Sequence, residues 1–180
     1  MKQEISIFTD GSCNAKEPHH YGGWGVYIVS KRRIIAMHGG WWNTTTPRME
    51  MMALLRGIEA IDGTLPCNVT IYCDSQFLVN AFRRGWIRKW RLNGWQGVAN
   101  SDLWKRIVAA METRRTAGVN FRVTWVRGHG ADLCDDIIYG NACADALADY
   151  RQQDFYDEDL IADGHENIRI SREDAFGVQP

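Results

Sequence analysis

Hydrophobic and polar positions change period several times along the chain, and each change marks an element. Glu4 to Thr9 alternates, is rich in Ile and Phe, and meets the turn signal Asp10-Gly11-Ser12, which predicts a strand ending at an aspartate. Trp24 to Ser30 and Ile34 to Trp42 read as two further strands, joined by the polar run Ser30-Lys31-Arg32-Arg33 into an antiparallel meander. At Thr46-Pro47 the period becomes helical: a capping threonine, a proline in the first turn, then Met51, Leu54, Ile58 and Ile61 on one face, closed by Gly63 and Pro66. Val69 to Cys73 is a short strand running into Asp74-Ser75, and Phe77 to Phe82 continues as a helix. Strand, helix, strand implies a right-handed crossover, so this strand lies parallel to an earlier one. Asp102 to Ala117 predicts a helix with Leu103, Ile107, Ala110 and Met111 on one face, Phe121 to Val126 a last strand, and Asn141 to Tyr150 a last helix with Ala144, Leu147 and Ala148 inward. The sum is an α/β fold: a five-stranded mixed sheet, part antiparallel meander and part parallel strands, flanked by helices.

A length of 180 residues suits one buried core with appendages. No apolar run approaches the ~20 residues of a spanning helix, and MKQEISIF does not resemble a signal peptide. The five cysteines, Cys13, Cys67, Cys73, Cys134 and Cys143, form no CxxC pair, which predicts reduced thiols in a cytoplasmic protein. The net charge of −1 conceals an asymmetry: nineteen bases and fourteen acids precede Gln152, and eight acids and two bases follow from it. The body, residues 1–151, is basic and compatible with a polyanionic partner, while residues 152–180 form an acidic tail whose hydrophobic pattern decays, predicting weak order.

Two strands end alike, at Thr9-Asp10-Gly11-Ser12 and Cys73-Asp74-Ser75. If they are parallel neighbours, the two carboxylates lie side by side at the carboxyl rim of the sheet, where open α/β sheets bind ligands. Glu50 stands between Met49 and Met51 in the first helix, and Asp145 between Ala144 and Ala146 in the last. Acids on apolar helix faces are costly unless paired or bound to a cation. Each alone has an ordinary explanation as a cap or a solvated acid; a joint cluster without a basic partner suits a hard divalent cation such as Mg²⁺.

TDGS, RMEMMAL, CDSQ, RGHG and NACADALA occur here in the order and approximate spacing of ribonuclease HI, and the chain from about Ile5 to Tyr150 resembles that family. The resemblance implies a ribonuclease H-like catalytic domain over residues 1–151 that cuts the RNA strand of RNA/DNA hybrids, leaving a 5′-phosphate and a 3′-hydroxyl. It implies two metal ions, Mg²⁺ or Mn²⁺, on Asp10, Glu50, Asp74 and Asp145, with Asp10 shared between them. His129 matches the family's loop histidine, which serves proton transfer or product release. The backbone around Cys13 and Asn14, the side chain of Gln76, and Glu50 match groups that sense the 2′-hydroxyl, the one chemical difference between the strands. Residues 83–101 align with a basic protrusion that grips the hybrid, where Trp86, Arg88, Lys89 and Trp90 lie among five bases, three tryptophans and no acid between Arg83 and Trp95. Read from residues alone, that run is equally an amphipathic helix with tryptophans inward and arginines solvated. Phe77 and Trp90 match aromatic positions facing the DNA strand, and Thr45 and Asn100 its phosphate pocket.

Three departures bear on specificity. Thr46-Pro47 replaces the amides common before the RMEMMAL-like motif; the first loop carries Lys16, Glu17, His19 and His20; and the loop after His129 is long, with Asp132, Asp135 and Asp136. A non-catalytic nucleic-acid binder has no need of four clustered acids, and the DSQ, RGHG and basic-tryptophan features point away from resolvases, transposases and integrases. A monomer is expected.

Overall fold

The structure is a computed structural model, and it describes residues 2–14, 16, 21–128, 135–149, 155–158 and 169–171. The five expected strands are β1 (Gln3–Asn14), β2 (Tyr21–Ser30), β3 (Ile34–Trp42), β4 (Cys67–Cys73) and β5 (Asn120–Trp125), arranged β5-β4-β1-β2-β3. Pairing is antiparallel between β1, β2 and β3 and parallel between β1, β4 and β5, so the sheet is mixed as expected.

The described residues form five helices, α1 (Thr46–Glu59), α2 (Gln76–Arg83), α3 (Trp86–Leu92), α4 (Ser101–Thr116) and α5 (Asp136–Ala148), of which α3 packs beside α2 rather than on the sheet. Alternation along each strand sorts side chains between two layers. Ile7, Trp24, Val26, Ile28, Val69 and Ile71 pack with α1, α2 and α4 in the larger core, whereas Phe8, Tyr27 and Ala36 face Cys143, Ala144 and Leu147 of α5. Central β2 is therefore buried almost throughout, which explains why its sequence is apolar or glycine rather than alternating.

Three differences from the sequence reading have a physical reason. β1 does not end at Asp10 but runs to Asn14, because β2 continues to pair with it through Asn14↔Tyr21 after β4 has stopped. α5 begins five residues before Asn141, because the Asp135 side chain caps it, accepting from the Ile137 and Ile138 amides at 2.7 and 3.4 Å. The tail, in which the pattern predicts no element, supplies two short strands on the outer edge of β3: β6 (Phe155–Glu158), parallel, and β7 (Arg169–Ser171), antiparallel. An exposed sheet edge offers backbone groups to any extended segment, so this pairing needs no apolar pattern in the tail itself.

Candidate active site

Register places the first two acids. Phe8 and Tyr72 are opposite one another in the parallel β1–β4 ladder, and their rings stack at 5.0 Å. Two residues further on, each strand carries an aspartate toward the same layer, Asp10 on β1 and Asp74 just past β4. Their ladder closes at Thr9↔Cys73, so both acids lie where the sheet opens.

The helices bring the other two through close backbone approach. A Cβ at Gly11 would overlap the backbone nitrogen of Glu50, so only glycine lets α1 settle against β1 with Glu50 beside the strand end. Gly25 lies opposite Asp10 in the β1–β2 ladder, and a Cβ there would stand 2.5 Å from the Ala148 amide and overlap the Ala144 carbonyl. The absence of that Cβ lets α5 close on the sheet, and Asp145 follows Ala144 into reach of Asp10. The Ser12 hydroxyl also donates to the Ala148 carbonyl, fastening the end of α5 to β1.

The electrostatics follow from this crowding. Asp10 is pushed up from 3.8 to about 8, first by burial, then by the charge of Asp74 and by the charge and hydrogen bond of Asp145; the Gly11 amide, 2.7 Å away, pulls the other way. Glu50 is also raised, by burial and by Asp74, although the Ser75 hydroxyl donates to its Oε2 at 2.7 Å and favours the charged form. The buried Cys73 thiol is pushed up to about 12, chiefly by burial, which makes it inert. The acids thus influence one another in pairs, Asp145 with Asp10 through a hydrogen bond, and Asp10 and Glu50 each with Asp74 through charge. Among the described residues, no three carboxylates, histidines or cysteines converge as ligands on one point. The donor set is all oxygen, and the charges that raise Asp10 and Glu50 are other carboxylates; such a set fits hard divalent cations, whose charge would relieve the repulsion. His129 lies outside the described residues.

Around this centre the other expected residues fall into three groups. Half-buried Cys13 and Asn14 end β1, the thiol 3.5 Å from the Thr44 carbonyl and the Asn14 amide donating to the Tyr21 hydroxyl at 3.1 Å. Gln76 and Phe77 open α2 and are exposed, Phe77 by 42%. The Phe77 ring joins a tilted aromatic cluster with Trp86 at 6.1 Å, Trp90 at 6.4 Å and the fully buried Trp104 at 6.0 Å. Trp86, Trp90 and Trp95 are half-buried against the core, while Arg88 and Lys89 are exposed. The tryptophans therefore anchor the protrusion to the core, and its bases and Phe77 form the surface.

Thr45 and Asn100 occupy the N-caps of α1 and α4, and neither makes a side-chain capping bond. Arg48 joins them, a residue the sequence reading passed over although it stands in RMEMMAL. Its guanidinium grips Asp102 through both nitrogens, at 2.9 and 3.2 Å, and donates to Asn100 Oδ1 at 3.2 Å. Ser75, inside CDSQ, was missed in the same way. Both residues act through a partner distant in sequence, which periodicity does not reveal.

Comparison with known proteins follows the same lines. The RNase H family model matches residues 2–153. A "Ribonuclease H" of Desulforamulus reducens is 35% identical over 149 residues, covering 78% of this chain and 88% of that protein. Another, of Oleidesulfovibrio alaskensis, is 38% identical over 156 residues, covering 82% and 95%. Among solved structures, LC9-RNase H1, described as a type 1 RNase H with the type 2 active-site motif, superposes with a TM-score of 0.64 at 26% identity, covering 82% of this chain and 71% of that one. The mixed sheet, the acids coupled in pairs at its open end and these matches leave one assignment: the chain belongs to the RNase H family of endoribonucleases.

Proposed function

We propose that the protein hydrolyses the RNA strand of RNA/DNA hybrids internally, with two divalent ions, Mg²⁺ in the first place, held by Asp10, Glu50, Asp74 and Asp145. The observation that carries this reading is the state of Asp10, a half-buried carboxyl crowded by two other acids, an arrangement that opposes folding unless a cation offsets it. The ions, when bound, supply acidity to the attacking water and stabilise charge on the leaving 3′-oxygen, so that the products carry 5′-phosphate and 3′-hydroxyl ends. Asp10, Glu50, Asp74 and Asp145 would hold these ions through their carboxylate oxygens.

The chain's own residues hold and select. Ser75 fixes Glu50 through its hydrogen bond, so that the second oxygen of Glu50 remains available to accept from a 2′-hydroxyl. Gln76 and the backbone at Cys13 and Asn14 flank the same opening and read the RNA strand. Thr45, Arg48 and Asn100, at two converging helix N-termini, hold a phosphate of the DNA strand, and Phe77 with the exposed Arg88 and Lys89 extends that track along α3. His129, by resemblance, assists proton transfer or product release. Four described cysteines, Cys13, Cys67, Cys73 and Cys143, are free thiols, which supports a reducing, cytoplasmic setting for a monomeric enzyme. No described helix is long and apolar enough to cross a membrane.

Labelled RNA/DNA hybrid, RNA duplex and DNA duplex incubated with Mg²⁺ test the proposal. The wild type is expected to cut only the RNA of the hybrid, and Asp10→Asn to lose at least about 10²-fold in rate. Failure to cut hybrid, or equal cutting by the variant, overturns it.

A further inference from the structure

On the β5 edge of the sheet, α2 and β5 enclose two adjoining clefts that share Arg83. One, of about 460 Å³, is lined by Arg83 and Arg122 with β5 residues; the other, of about 230 Å³, by Gln76, Asn80, Arg83, Arg84 and Trp125. Among the described residues, no acid lines either. Three other described arginines are engaged in ion pairs: Arg48 with Asp102, Arg56 with Glu59, Arg91 with Glu112. Arg83, Arg84 and Arg122 form no ion pair with any described residue, and all three are exposed. An uncompensated group of three guanidinium ions in a concave site is an anion site by its charge.

Trp125 adds direction. Its ring is 40% exposed, and its indole nitrogen donates to the Asp74 carbonyl at 3.0 Å, so the wall of the cleft is tied to an acid of the catalytic centre. Gln76 lines the same cleft, and it is the residue matched to the RNA strand. A flat ring, two amides and three cations leading away from the site suit a chain whose bases are unstacked and whose phosphates recur. A duplex is too wide and too stiff to enter such a cleft.

We infer that the α2–β5 cleft binds a single-stranded extension of the RNA strand where it leaves the hybrid, with its phosphates on Arg83, Arg84 and Arg122 and a base against Trp125. This rests on the hybrid-nuclease reading above, but its test does not need activity. The full chain, without divalent ion, is titrated by fluorescence anisotropy with a blunt hybrid, with the same hybrid carrying a short single-stranded RNA extension at either end, and with a hybrid lengthened by the same number of base pairs. An extension at one end is expected to tighten binding roughly 3- to 10-fold over the blunt hybrid, and Arg122→Glu to abolish that gain while leaving the blunt hybrid unchanged. The salt dependence of the extended substrate falls in the variant by about one ion. No gain from either extension, a gain that survives Arg122→Glu, or an equal gain from added base pairs overturns the proposal. If the extended hybrid binds as expected but no hybrid is cut with Mg²⁺, the catalytic reading fails instead.

Discussion

Asp10 carries its charge at a cost. Its folded carboxyl takes up a proton up to a pH of about 8, whereas an unfolded chain has released it by about 4. Between those limits the folded state holds more protons than the unfolded state, so without metal this group costs stability progressively as pH rises from about 4 toward 8, the reverse of a carboxylate paired with a base. Glu50, raised in the same direction, adds to the trend. Asp10→Asn is therefore expected to raise the metal-free melting temperature at pH 8 by roughly 2–8 °C and to flatten its pH dependence, read by calorimetry. An unchanged melting temperature at pH 8 would mean that the acids are not gathered around residue 10. Adding Mg²⁺ at pH 8 is expected to raise the wild-type value and leave that of the variant nearly still. The four acids were legible in the sequence only together, two at strand ends and two on apolar helix faces in the order of a known family, since each alone has an ordinary explanation. Arg48 and Ser75 were not, since a guanidinium in a helix's first turn and a serine after a strand look the same whether or not they meet Asp102 or Glu50.

At the scale of the elements, the site depends on how near helices can come to strands. Gly11→Ala would set a methyl group against the backbone of α1, which has no side chain to swing away. A cost of about 1–3 kcal/mol is expected, with a loss of activity beyond what the stability change explains, because Glu50 moves with its helix. A variant as active and as stable as the wild type would show that α1 does not rest on β1 as described. Periodicity gave the strands and the four longer helices, whose buried faces repeat. It failed where a boundary is set by something other than burial: the Asp135 cap that starts α5 early, the β2 partner that prolongs β1, and the free β3 edge that recruits the tail. Residues 83–101 were legible as a basic, tryptophan-rich protrusion, but only packing shows the rings facing the core and the charges facing out.

For the whole molecule, charge is divided rather than balanced. The body carries nineteen bases against fourteen acids, and the tail eight acids against two bases, so a net charge of −1 is a poor guide to how the protein meets a polyanion. Hybrid affinity is expected to fall steeply with salt, with a slope on the order of several ions in a log–log titration; a flat response would exclude the basic surface as the binding face. The tail strands settle on the β3 edge, at the opposite side of the sheet from β5 and its arginines. One further consequence follows from the strand that outruns its neighbour. Past Thr9, β1 pairs on one side only, so from Asp10 to Asn14 alternate backbone amides face the opening instead of a partner strand. In deuterium those of these amides with no other acceptor, unlike the Gly11 amide that donates to the Asp10 carboxylate, would trade their hydrogens quickly while those facing β2 stay slow, giving a rhythm of fast and slow exchange along a single strand. A bound hybrid would erase the rhythm by slowing the fast set, and that erasure would record substrate docking without a turnover.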